Sequence, residues 1–131
     1  MKKTPLLNSA LSQLIAGMGH GDMLVIGDAG LPVPPQVPCI DLALTKNIPG
    51  FLDTLRVVLA EMEVEKAIVA QETALVSPAI DAGITALLPY TPLNPVPHEQ
   101  FKQLTAKARA IVRTGQFTPY ANIILVAGVV F

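Results

Sequence analysis

Apolar positions along this chain switch between helical and strand-like spacing. Leu7, Leu11, Leu14, Ile15 and Met18 fall on one helical stripe, and Asn8 or Ser9 can cap its start. Gly17 and Gly19 end that helix, Gly19 as a natural left-handed cap. Met23 to Gly27 is apolar throughout and predicts a buried strand, stopped by Asp28-Ala29-Gly30. Four prolines within residues 31–38 predict a stiff extended loop, and Cys39 to Leu44 a short strand. Pro49-Gly50 opens a second helix with Phe51, Leu52, Leu55, Val58, Leu59 and Met62 on its inner side.

Val64 to Ala70 is a further β-type run. Ser77-Pro78 has the form of an N-cap followed by proline in the first turn, ahead of a helix facing inward through Ile80, Ile84, Leu87 and Leu88. Residues 89–97 hold four prolines, so a strand there is short or at an edge. His98 to Leu104 predicts a short helix, and Ala108 to Arg113 and Asn122 to Val126 predict strands. Strands alternating with helices predict a single α/β domain over residues 1–131, a three-layer sandwich around a largely parallel or mixed sheet. Strands without polar alternation imply a sheet covered on both faces.

Composition changes this picture in one respect. Of the 131 residues, 51% are hydrophobic and only 15% charged, with a mean hydropathy of +0.51, against about 25% charged in ordinary domains. A lone globule with so little polar cover is hard to reconcile with water, so the chain either enters a membrane or covers itself with its own copies. The longest apolar run, Ile123 to Phe131, is far shorter than the roughly 20 residues a spanning helix needs. The basic pair Lys2-Lys3 precedes no apolar signal segment. The expectation is a cytoplasmic homo-oligomer without membrane insertion. A net charge of −1 and the absence of tryptophan argue against a nucleic-acid partner. Cys39, the one cysteine, reads as a buried strand residue, and no spacing suggests a metal site.

Candidate chemistry is confined to polar residues at element ends. There is no phosphate-binding glycine loop and no nucleophile elbow. His20, inside Gly19-His20-Gly21-Asp22, suits proton transfer near neutrality, with Asp22 placed to orient it, or is a solvated turn residue. Asp28 can accept two hydroxyl hydrogen bonds from a ligand or cap a turn. His98 stands at a helix start, and Tyr120-Ala121-Asn122 offers neutral groups suited to an uncharged polyhydroxylated ligand. The apolar tail from Ile123 to Phe131 reads as a core strand or as one reaching a subunit interface.

Taken in order, Gly19-His20-Gly21-Asp22, the Asp28-Ala29-Gly30-Leu31-Pro32-Val33-Pro34 stretch, His98-Glu99-Gln100-Phe101-Lys102 and Arg113-Thr114-Gly115 followed by Pro119-Tyr120-Ala121-Asn122 resemble the D-ribose pyranase family, related to the L-fucose mutarotases. The likeness runs from end to end and thins between about Glu72 and Pro97, which looks shortened. It implies an isomerase that interconverts the pyranose and furanose forms of D-ribose in ribose catabolism, without cofactor or metal. It implies His20 as the catalytic proton donor, with Asp28, His98, Tyr120, Ala121 and Asn122 binding the sugar. Rings of five subunits or stacked decamers, with sites shared between neighbours, are also implied. The rivals are a fucose-type mutarotase and a non-catalytic ribose-binding accessory protein.

Overall fold

The computed structural model describes residues 1–131. In chain order the elements are α1 (Ser9–Ala16), β1 (Met23–Gly27), β2 (Cys39–Asp41), α2 (Phe51–Leu59), β3 (Val64–Ala70), α3 (Glu72–Val76), α4 (Pro78–Leu87), β4 (Leu93–Val96), α5 (His98–Thr105), β5 (Ala110–Arg113) and β6 (Ile123–Ala127). They build one six-stranded sheet in the order β2-β5-β1-β6-β3-β4. The sheet is mixed, as β6 runs antiparallel to both neighbours while the other pairings are parallel.

Side-chain alternation across the central strands divides the core in two. Leu24, Ile26, Ala110, Val112, Ile123 and Leu125 point into a cluster of 20 buried residues that also takes Leu11 of α1, Phe51, Leu55 and Val58 of α2, and Ile80 and Ile84 of α4. Val25, Ile111 and Ile124 point the other way, onto Phe101 of α5 and onto Leu31 and Val37 of the proline-rich loop. Both faces are therefore covered, and the uninterrupted apolar runs of β1, β5 and β6 follow from that cover.

Several local expectations need correcting. Asn8 does cap α1, its Oδ1 accepting from the Leu11 N–H at 2.9 Å, but Leu7 precedes the helix and is exposed. The left-handed glycine is Gly21 (φ 85°), while Gly17 closes the helix in right-handed backbone. β2 stops at Asp41 and leaves Leu44 exposed. Cys39 is exposed rather than buried, because β2 forms the sheet edge. Partial burial, with the Asp41 carboxylate nearby, pushes its thiol pKa up. Pro78 opens α4 as expected, yet the Ser77 side chain does not cap it. The proline-rich segment supplies β4, at the opposite edge, where Pro95 is tolerated. No helix is long and apolar enough to cross a membrane.

Candidate functional site

β1 separates two groups of polar side chains. At its C-terminal end stand Asp28 and Asn122, whose side chains interlock. Asn122 Oδ1 accepts from the Asp28 N–H at 2.8 Å, and its Nδ2 donates to Asp28 Oδ2 at 3.0 Å. Asp28 Oδ1 accepts from the Gly30 N–H at 2.9 Å. Each carboxylate oxygen thus keeps lone-pair capacity for a further donor. Asn122 is fully buried and sits against Gly27, where an added Cβ would lie 3.0 Å from its Oδ1 and 2.6 Å from Leu31 Cδ2. Glycine there allows the amide to reach the backbone of residue 28.

Tyr120 stands in left-handed backbone (φ 60°), which is uncommon for a bulky residue and costs roughly 1–3 kcal/mol unless its surroundings enforce it. Two buried hydroxyls help to do so. Thr73 Oγ1 donates to the Tyr120 carbonyl at 2.9 Å, and Ser77 Oγ to the Pro119 carbonyl at 2.5 Å. The Asn122 N–H also reaches the Tyr120 carbonyl, at 2.9 Å. The tyrosine ring meets the His98 imidazole edge-on, with centroids 4.9 Å apart, and the imidazole is also stacked with Phe101 at 6.2 Å. His98 opens α5, where its backbone N–H is held by both oxygens of Glu72 at 3.0 and 3.2 Å. A carboxylate suits this position, because it completes orphan helix donors and faces the positive end of the helix dipole. His98 Nδ1 is buried and has no hydrogen-bond partner in the chain, a state that few polar atoms of a native fold adopt.

Beside Asp28 opens a cleft of about 380 Å³, closed on the far side by Gln116, Phe117 and Thr118. This is within the size range of small-molecule sites. Gln116 joins the cleft wall to α2, its Oε1 accepting from the Phe51 N–H and its backbone carbonyl from the Ala29 N–H. Arg113 adds a bond from Nε to the Ala29 carbonyl and an ion pair to Asp41. Ala121 is fully buried in the larger core cluster, so only its backbone could serve a ligand.

His20 lies elsewhere. It precedes β1, whose five residues place about 15 Å of strand between its end of the sheet and that of Asp28. Its neighbours are the end of β6, through the Gly21 N–H bond to the Ala127 carbonyl, and a cleft of about 510 Å³ reaching the apolar tail from Val129 to Phe131. Its imidazole is exposed, and Nε2 stands 2.7 Å from Glu65 Oε2. Asp22, expected to orient the ring, is instead bound to the Gly19 N–H and to Arg109, at 2.9 and 2.8 Å. One chain therefore brings Asp28, His98, Tyr120 and Asn122 to one end and leaves His20 at the other.

Reading the sequence missed Glu65, Glu72 and Thr73, and took Ser77 for a helix cap rather than a partner of Pro119. Their partners lie 45, 26, 47 and 42 residues away in sequence, so no local spacing points to them.

Comparison with known proteins gives a consistent result. The family model described as RbsD / FucU transport protein family matches residues 1–130. A protein of Chloroflexus aggregans named D-ribose pyranase is 63% identical over 131 residues, covering 100% of both chains, so the middle segment is not shortened against that relative. The structure of Bacillus subtilis RbsD complexed with D-ribose superposes with a TM-score of 0.97 at 47% identity, and covers all of both chains. A fucose mutarotase from Streptococcus pneumoniae, solved with L-fucose, reaches 0.84 at 27% identity, again over both whole chains. This chain belongs to the RbsD / FucU family.

Proposed function

We propose that this chain is a D-ribose pyranase, an isomerase interconverting the pyranose and furanose forms of free D-ribose. The observation that carries the reading is the full-length match to the ribose-bound Bacillus subtilis structure, supported by the 63% identical relative named D-ribose pyranase. The Asp28 end fits such a ligand chemically. It combines one carboxylate, a buried amide, a phenol and an imidazole whose Nδ1 has no partner in the chain, and the one basic side chain lining the cleft, Arg113, is paired with Asp41.

The chemistry requires one proton delivered and one removed. As the bond from the anomeric carbon to the ring oxygen breaks, His20 gives a proton to that oxygen, and the anomeric hydroxyl gives its own to a base. Asp28, His98 and water are the candidates for that base. The aldehyde then recloses through a different hydroxyl with the transfers reversed. Asp28 and Asn122 hold hydroxyls, and the Tyr120 and His98 rings wall the sugar. Positioned acid–base groups contribute about 10²–10⁴-fold.

Because His20 stands at the far end of β1, this mechanism draws its two halves from different copies of the chain. A contact of one end on the other, repeated, is head-to-tail and closes into a ring where the rotation between copies allows it, as a pentamer or a decamer of stacked rings requires. Exposed apolar side chains occur at both ends, Phe117 beside Asp28 and Val130 and Phe131 beside His20. Burying them in a cytoplasmic ring of single-domain subunits accounts for the low charge content.

Saturation-transfer NMR on ribose, fucose and allose tests the reading. Enhanced exchange between ribose ring forms is expected. Enhancement confined to fucose anomers would make the chain a mutarotase, and ribose binding at the buffer exchange rate would make it a binding accessory.

A further inference from the structure

We infer that Glu65 is the positioning residue for His20, fixing which ring nitrogen handles the proton. The inference rests on the reading of His20 as proton donor. A carboxylate only accepts hydrogen bonds, so the 2.7 Å contact places a hydrogen on Nε2 and leaves Nδ1 as the nitrogen free to exchange a proton with the sugar.

The backbone around Glu65 is shaped for this contact. β3 pairs with β6 as Val64 with Ala127 and then Lys66 with Val126, so Glu65 is an extra residue without a partner opposite. Such a bulge bends the strand and redirects the side chain. Beyond β6 the chain closes on the bulge at Gly128, where a Cβ would lie 3.2 Å from Glu65 Cβ and 3.3 Å from its backbone nitrogen. The Gly128 N–H bonds to the Glu63 carbonyl at 3.0 Å and holds that approach. Asp22 is occupied by Gly19 and Arg109, so Glu65 is the carboxylate that holds the imidazole. The pair is largely exposed, and exposed ion pairs contribute little to stability. Its geometry thus points to function rather than to folding.

The test compares wild type, Glu65→Ala, Glu65→Gln and His20→Ala by ribose exchange and by the ¹⁵N shifts of the His20 ring. Glu65→Ala is expected to lower kcat roughly tenfold or more, a part of the about 10²–10⁴-fold that acid–base groups supply, with KM unchanged and the Nε2–H signature lost. Glu65→Gln, which keeps an acceptor oxygen in place, restores that signature and most of the rate. A silent Glu65→Ala beside an inactive His20→Ala overturns this proposal alone. A silent His20→Ala overturns the assignment of His20, and this proposal with it.

Discussion

The two ends of β1 are built on different physical terms. At the C-terminal end a buried amide, two buried hydroxyls and a helix start hold Asp28, Tyr120 and His98 in a network of short bonds. At the N-terminal end His20 stands on an exposed glycine turn, held by one carboxylate from a strand bulge. The first is suited to binding, because buried partners define position. The second is exposed, as the proposed mechanism requires of a group that would act in a neighbouring copy's pocket. The difference is what the proposed mechanism requires, with each end supplying one half of a site completed by another copy of the chain.

The sharpest way to break this comparison is to disable the ends separately. His20→Ala should lower ribose exchange by about 10²–10⁴-fold while ribose still binds, as measured by saturation transfer and by titration. At ribose concentrations too low to fill Asn122→Ala sites, mixing His20→Ala with Asn122→Ala subunits after unfolding and reassembly should restore up to about a quarter of the sites if each is shared head-to-tail. No recovery would place both halves within one subunit.

Asn122→Ala alone should act on binding. It leaves the Asp28 N–H without its partner, which costs the fold about 1–3 kcal/mol, and it releases the Asp28 carboxylate from the amide that fixes it, so ribose affinity should fall in a calorimetric titration. The ¹⁵N signature of the His20 ring should not move. A smaller effect is expected from Thr73→Val, which removes one donor from the Tyr120 carbonyl while the Asn122 N–H remains. Losing about 1 kcal/mol lowers Tm by about 4 °C in a chain of this size. KM should rise more than kcat falls, since Tyr120 belongs to the proposed binding end.

The smallest effect is expected at Glu99, in the first turn of α5. Its hydrogen bond and ion pair with Lys102 hold its carboxyl below the usual range. A depressed carboxyl stabilises the fold above its unfolded pKa, and that contribution is lost as pH falls through the folded value. The group is fully exposed and screened, so Glu99→Gln should leave Tm at neutral pH within error. Only a slight difference is expected in the acid limb of a Tm–pH series, and a large one would mean that Glu99 supports the His98 helix more directly.

How much could be read in advance follows the range of each interaction. Asn8 as a cap, Pro78 at a helix start and the edge strand through Pro95 are local rules, and each appears where the residues indicated it. The burial of Cys39 was misjudged because an apolar run does not say whether its strand is central or at an edge. α3 was missed because its five residues are too few for a periodic signal.

By itself the sequence determined the α/β class, the two-sided burial of the sheet, and the names of the polar residues at element ends. Apolar spacing and turn chemistry act over a few residues, and a single pass along the chain reads them. Only the tertiary structure decided which polar residues meet. Glu65 was brought to His20, Thr73 to Tyr120 and Asn122 to Asp28 by strand order and by a bulge, and His20 was parted from Asp28 by the length of β1. Those outcomes depend on pairings between segments tens of residues apart, which no local pattern encodes.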